Sequence, residues 1–375
     1  MANISLNNLS PLNPCAATSC WYSGSGKQAA PWRNWCGGAF AREYSSHGAV
    51  IYWGGGHGGG DDHSLYLFDF STRLWSRIGP TLPSAPYALD STWSDFQHEG
   101  SYIVPGLHTY NYPSYVPPGK SGVGAKGAWI LPALVSGPGG NVPHAVDLAS
   151  GQWTRFSAGK AGGFTAPYSG TIEDTKRGRI WWGGAGAHDY RWMDYNEAHP
   201  RTIKTVNSRW FGGWYDRFVY VPEADMAMGF WCDFGQTQFK AVVLNMSSGA
   251  PVAVASNAIP AKTMLGAGFG ADWCPITRKF YFYEARARAA VSVLAPSSLD
   301  FSSCTWSWGE ETFTGAAPAW IASGTGSGGE IALSRWRYVP ALRSFAWSDG
   351  PRYSAVCEDG ATRDGVMQVW RPLGT

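Results

Sequence analysis

The sequence predicts an all-β chain whose strands form about six four-stranded blades, with a seventh possible. Three observations predict it. Apolar spacing at i, i+3, i+4 and i+7 is not sustained over any long window free of Gly and Pro, so long amphipathic helices are not expected. Forty-eight Gly and 24 Pro among 375 residues punctuate the chain as densely as tight turns require. An aromatic strand recurs along the length, and self-similarity at a roughly fixed period marks a repeat architecture.

The recurring strand reads Ile51-Tyr52-Trp53, Ala128-Trp129-Ile130, Ile180-Trp181-Trp182, Gly229-Phe230-Trp231, Phe280-Tyr281-Phe282 and Phe345-Ala346-Trp347. Successive copies lie 76, 53, 49, 51 and 65 residues apart, and insertions account for the two long steps. Upstream stands a second element, seen in Tyr220-Val221-Pro222, Trp273-Cys274-Pro275 and Tyr338-Val339-Pro340, with Tyr115-Val116-Pro117 as a looser copy. The third repeat has the polar turn Asp174-Thr175-Lys176-Arg177-Gly178-Arg179 before its aromatic strand. An apolar strand, a polar turn and another apolar strand make an antiparallel hairpin. A Pro closing the first strand fits, because it has no N–H to continue the ladder.

A four-stranded blade cannot bury both faces alone, so the blades are expected to stack radially into a ring, a β-propeller. Residues 40–375 are assigned to the ring. Residues 1–39 match no blade and are read as an extension packed on it, with room to supply a closing strand. The segment Gly365-Val366-Met367-Gln368-Val369-Trp370 is expected to complete the sixth blade, and a degenerate seventh would fall within 80–127. Each buried indole removes roughly 150–250 Å² from water, and six interfaces absorb about a dozen such rings. The chain has 21 Trp, so several are expected to be partly exposed.

The first repeat is the fullest. Gly54-Gly55-Gly56-His57-Gly58-Gly59-Gly60-Asp61-Asp62-His63 leads to Ser64-Leu65-Tyr66-Leu67-Phe68-Asp69 and then to Trp75. A strand ending in Gly-Gly, a loop, a strand with Tyr and Asp, and a later Trp resemble the kelch repeat of galactose-oxidase-like β-propellers. The chain is similar to GGGH-containing bacterial and phage kelch-like proteins. The second repeat keeps Val146-Asp147 and Trp153, the third keeps Gly183-Gly184 and Asp194, and the last three keep only the hairpin and aromatic strand.

Composition excludes several functions. Net charge is +2 with 15% charged residues and no basic cluster, so no nucleic-acid partner is expected. No apolar run approaches 18 residues, so no membrane insertion is expected. The start, Met1-Ala2-Asn3-Ile4-Ser5-Leu6, lacks a basic n-region and an apolar h-region, which argues against a Sec signal and for synthesis in the cytoplasm. Seven cysteines at unrelated spacings read as free, half-buried thiols, and the paired CxxC pattern of zinc sites is absent.

Candidate ligand-binding residues gather in the loops after the aromatic strands. His57, Asp61, Asp62 and His63 follow the first, and His188 and Asp189 follow the third. In the kelch-like arrangement these loops meet on one face near the axis. Two His and an Asp suit a metal, but without regular ligand spacing the Asp residues read as turn caps, and no metal or cofactor is expected. The Tyr–Cys pairing and His pair of copper radical oxidases cannot be placed, and the sialidase Asp box and the Walker loop are absent. Arg286 and Arg288, following the fifth strand, are expected on the same face as His57 and suit an acidic sugar or a partner carboxylate. An alternating strand with one wet face explains them equally well. Tyr110, Tyr112 and Tyr115, in a Tyr- and Pro-rich insertion, suit glycan or protein contacts or simple packing on a neighbouring blade. Glutamates are scattered, and Glu173 and Glu310-Glu311 read as solvated surface.

These features favour a non-enzymatic recognition or assembly propeller without a catalytic residue. The resemblance and the missing signal suggest a phage virion component working outside the cell. Its expected partners are a host surface glycan or neighbouring virion proteins, with a homo-oligomer possible within the assembly. A polysaccharide-active lyase or glycoside hydrolase is the alternative, and a cytosolic kelch-type adaptor the second.

Overall fold

The computed structural model describes residues 2–7, 37–53, 65–79, 97–98, 101–102, 109, 111–132, 143–157, 170–183, 190–206, 216–232, 239–254, 268–283, 290–312, 332–348 and 367–375. Its strands are β1 (Ala2–Asn3), then β2 (Gly38–Ala41), β3 (Ala49–Tyr52), β4 (Leu65–Asp69) and β5 (Leu74–Ile78), which form blade one. A short pair follows, β6 (Gln97–His98) with β7 (Ser101–Tyr102). Blade two is β8 (Ser114–Val116), β9 (Ala128–Leu131), β10 (His144–Asp147) and β11 (Trp153–Arg155). Blade three is β12 (Thr171–Asp174), β13 (Arg179–Trp182), β14 (Tyr190–Asp194) and β15 (Ile203–Val206). Blade four is β16 (Arg217–Val221), β17 (Met226–Cys232), β18 (Phe239–Asn245) and β19 (Ala250–Val254). Blade five is β20 (Gly270–Cys274), β21 (Lys279–Tyr283), β22 (Ala290–Pro296) and β23 (Trp306–Thr312). Blade six is β24 (Arg337–Val339), β25 (Ser344–Trp347) and β26 (Gln368–Trp370), with β1 as its fourth strand.

Each of the six blades is an antiparallel four-stranded sheet, so the described residues form a six-bladed propeller. The region weighed for a seventh blade holds the β6–β7 pair and the first strand of blade two. The Tyr- or Trp-x-Pro element is the first strand of its blade, and the aromatic element is the second.

First strands of successive blades pack side by side and line the ring axis. Side chains tie them laterally. The Gly37 N–H donates to Thr109 Oγ1, which donates to the Trp53 carbonyl, at 2.8 and 2.9 Å. The Gly38 N–H donates to Ser334 Oγ at 2.9 Å, and Arg337 Nη2 donates back to the Gly38 carbonyl at 3.0 Å, joining blade six to blade one. Between blades the cores are aromatic. One cluster runs through blades one to three around Trp53, Trp129 and Trp182. Others join blades three and four, four and five, five and six, and six and one. Half-exposed Trp192 lies under the cations of Arg179 and Lys204, at 4.0 and 4.5 Å from its ring centroid.

The chain start closes the ring. Ala2 and Asn3 pair with Val369 and Gln368, and the Met367 N–H donates to Ser5 Oγ at 2.6 Å. The same segment then grips blade one. Leu6 N–H donates to the Arg73 carbonyl at 2.9 Å, and the Asn7 side chain accepts from the Trp75 N–H and donates to its carbonyl at 2.7 and 3.0 Å. β26 is therefore the third strand of blade six, and β1 supplies the closing strand that the chain start had room to give.

The repeated Asp has a structural task. Asp69, Asp147, Asp194 and Asn245 each end the third strand of a blade. In each, the side-chain Oδ1 accepts the N–H two residues on, at 2.8 to 3.1 Å, which turns the chain into the fourth strand. No helix among the described residues is long and apolar enough to cross a membrane.

Candidate functional site

Because first strands surround the axis, their inward side chains meet there. They enclose a cavity of about 170 Å³ lined from five of the six blades. Its charged residues are Arg42, just after β2, with Glu173 on β12, Arg217 on β16, Asp272 on β20 and Arg337 on β24. Phe40 and Tyr220 add rings to the lining.

The carboxylates are engaged. Glu173 Oε2 takes Arg42 Nη2 at 2.8 Å, and its Oε1 accepts the Tyr115 N–H at 3.0 Å. Asp272 accepts the N–H of Trp273 and of Tyr338, at 3.0 and 2.9 Å. Burial opposes the charge on Arg42, but Glu173 and Glu43 outweigh it and hold that guanidinium above its ordinary value.

Arg217 differs. It is 2% exposed, donates from Nε to the Ala271 carbonyl at 2.9 Å and from Nη1 to the Phe218 carbonyl at 2.7 Å, and its buried Nη2 has no hydrogen-bond partner among the described residues. Burial, reinforced by the charge of Arg337, pushes it down to about 9. Arg337 likewise donates to carbonyls, from Nε to Ser334 at 2.8 Å and from Nη2 to Gly38 at 3.0 Å.

Asp216, just before β16, is fully buried, and neither carboxyl oxygen has a hydrogen-bond partner among the described residues. Burial alone pushes its carboxyl well above the usual range, which favours the protonated form. Its backbone carbonyl accepts Asn111 Nδ2 at 3.0 Å across Gly170, where an added Cβ would stand 2.6 Å from that carbonyl oxygen.

His57, Asp61, Asp62, His63, His188, Asp189, Arg286, Arg288 and Tyr110 lie outside the described residues. The strands that bracket the eight loop residues end at Tyr52, Trp182 and Tyr283 and restart at Leu65, Tyr190 and Ala290. Those ends share the face of the ring on which the first strands begin, the Asp216 end of the axis. Tyr112 and Tyr115 have no exposed surface, so neither ring is open to a ligand in this fold. Their hydroxyls donate to the carbonyls of Gly183 and Lys126 at 3.1 and 3.3 Å, and both rings join the core of blades one to three. Glu173 is not solvated surface but part of the axial cavity. Glu311 is also largely covered, accepting from Lys279 and from the Tyr281 hydroxyl.

Arg42, Arg217, Asp272 and Arg337 escaped the motif reading. One signal pointed to two of them. Val219, Asp272 and Arg337 each immediately precede the aromatic of the Tyr- or Trp-x-Pro element, and all three line the cavity. Among the described residues no group of three or more His, Cys, Asp or Glu is placed to hold a metal. Cys274 and Cys304 are free thiols, the first buried.

No family model matches the chain, and no curated protein sequence matches it either. Among solved structures it is similar to an α-L-arabinanase from Penicillium chrysogenum complexed with arabinobiose, at 12% identity and a TM-score of 0.49, covering 92% of this chain and 97% of that one. It is also similar to the hydrazine synthase of Kuenenia stuttgartiensis, at 11% identity and 0.46, over 95% and 100% of the two chains. A third is U3-55K, at 8% identity and 0.44, over 94% and 97%. Likenesses of this size say nothing of what this chain does.

Proposed function

We propose that the chain is a non-enzymatic recognition or assembly propeller, a phage tail or surface component that binds a host glycan or a neighbouring virion protein. The observation that carries this reading is the state of the axial carboxylates. Glu173 and Asp272 are both held by donors, whereas glycoside hydrolysis needs one carboxyl free to give a proton and another free to attack or activate water. The arginines beside them suit holding a ligand. The kelch-like character belongs to the same proposal and rests on the first repeat. The rival, a polysaccharide-active enzyme, is favoured by Asp216, since a carboxyl raised above its ordinary range is what a general acid requires.

Two measurements test the reading. Immunogold labelling and peptide mapping of purified particles should find the chain in the virion, and a glycan array should show retention without product. A chain absent from particles that also retains no glycan overturns the proposal. So does turnover of any polysaccharide in a reducing-sugar or unsaturated-uronate assay.

A further inference from the structure

We propose that the axial cavity is an anion site that holds the carboxylate of an acidic sugar residue between Arg217 and Arg337. This deepens the recognition reading and rests on it for the glycan. It does not rest on it for the anion.

The argument begins with unbalanced charge. Three guanidinium groups and two carboxylates line the cavity. Arg42 and Glu173 neutralise one another at 2.8 Å. Asp272 is held by two backbone N–H groups, so turning toward an arginine would leave those donors bare. Arg217 and Arg337 are left with carbonyl partners only. The lining is thus one positive charge in excess, and a buried guanidinium bonded only to carbonyls, as Arg217 is, is an arrangement that a bound anion relieves.

The donors are also pre-placed. Arg217, on the cavity wall, is clamped through Nε and Nη1, which fixes the plane of its guanidinium. Arg337 is clamped through Nε and Nη2. Rigid forks of this kind match carboxylate geometry and lose little side-chain freedom on binding.

The remaining lining selects the carrier of the carboxylate. Phe40 and Tyr220 supply rings on which a pyranose can pack, and Thr175 supplies a hydroxyl. The cavity is of single-residue size, which suits one hexuronate rather than an extended peptide strand.

Calorimetric titration of the full chain with sodium glucuronate tests the site, with glucose, acetate and tetra-aspartate as comparisons. Glucuronate should saturate a single site, weaken as salt is raised, and bind about tenfold or more tightly than acetate or tetra-aspartate. Glucose should not bind. Arg337→Gln should weaken glucuronate about tenfold or more. Thr175→Glu, which adds a like charge to the cavity lining, should abolish binding and serves as the test if Arg337→Gln fails to fold. The proposal is overturned if glucuronate does not saturate, if folded Thr175→Glu binds it unchanged, or if tetra-aspartate binds as well. Those results leave the recognition reading standing, whereas polysaccharide turnover overturns that reading without touching this site.

Discussion

At the scale of single residues, Asp216 is the group with the clearest energetic signature. Its folded-state pKa lies above its unfolded value of about 3.9, so between those values the folded chain binds the extra proton. Stability from this group is therefore complete below about pH 4 and is lost as pH rises through the folded pKa, at about 1.4 kcal/mol per pH unit. Asp216→Asn cannot ionise and escapes that loss. Urea unfolding should find the variant more stable than the parent at pH 7 and nearly equal to it at pH 4. Equal differences at the two pH values would mean that Asp216 is ionised in the folded ring. Arg217 carries the opposite sign, since its lowered pKa favours the folded state only as pH climbs past about 9.

At the scale of elements, one backbone position repeats more faithfully than any side chain. The residue just before every second strand has a left-handed backbone. It is Gly48, Gly127 and Gly178 in blades one to three, and Asp225, Arg278 and Arg343 in blades four to six. Glycine adopts this conformation freely and arginine does not. Arg278→Gly should thus be neutral or stabilising by up to about 1 kcal/mol. Gly178→Ala should destabilise by about 1–3 kcal/mol, because its Cβ would also run into the Asn196 side chain. Thermal unfolding of both variants in parallel checks the pair, and a stabilised Gly178→Ala would contradict this account of the hairpin.

The same position explains what was legible. Hairpins and aromatic second strands show in the sequence because burial between blades demands apolar side chains wherever the fold recurs. The Asp that ends third strands shows in three blades and hides as Asn245 in a fourth, where an amide oxygen does the same work. The site was harder to read because an axial side chain is defined by neighbours from other blades. Glu173 looks like a solvated hairpin residue until Arg42, 131 positions earlier, is brought to it. Tyr112 and Tyr115 misled in the other direction. A Tyr- and Pro-rich stretch resembles a contact surface, yet these two hydroxyls find carbonyl partners inside the core.

At the scale of the whole molecule, the ring depends on its joint. Five blades are built wholly from consecutive strands, whereas blade six borrows two residues from the chain start. Deleting residues 2–7 removes that strand and the Leu6 and Asn7 bonds to blade one. Losing several hydrogen bonds at about 0.5–1.5 kcal/mol each should lower stability by about 3 kcal/mol or more while the β-type circular dichroism persists. Unchanged denaturant unfolding would show that the aromatic core between blades six and one closes the ring unaided.

That joint also sets an order of events. Asn3 meets Gln368 across nearly the whole chain, whereas every other strand finds a partner close by in sequence. A contact of such separation forms late and is held by few bonds, so it is the first to open when the native ring breathes. Hydrogen exchange should accordingly release the amides of Ile4 and Leu6 well before those of second strands such as Phe280–Phe282. Each opening bares the outer edge of β26, which makes the seam of the ring the place where a strand from another chain can add.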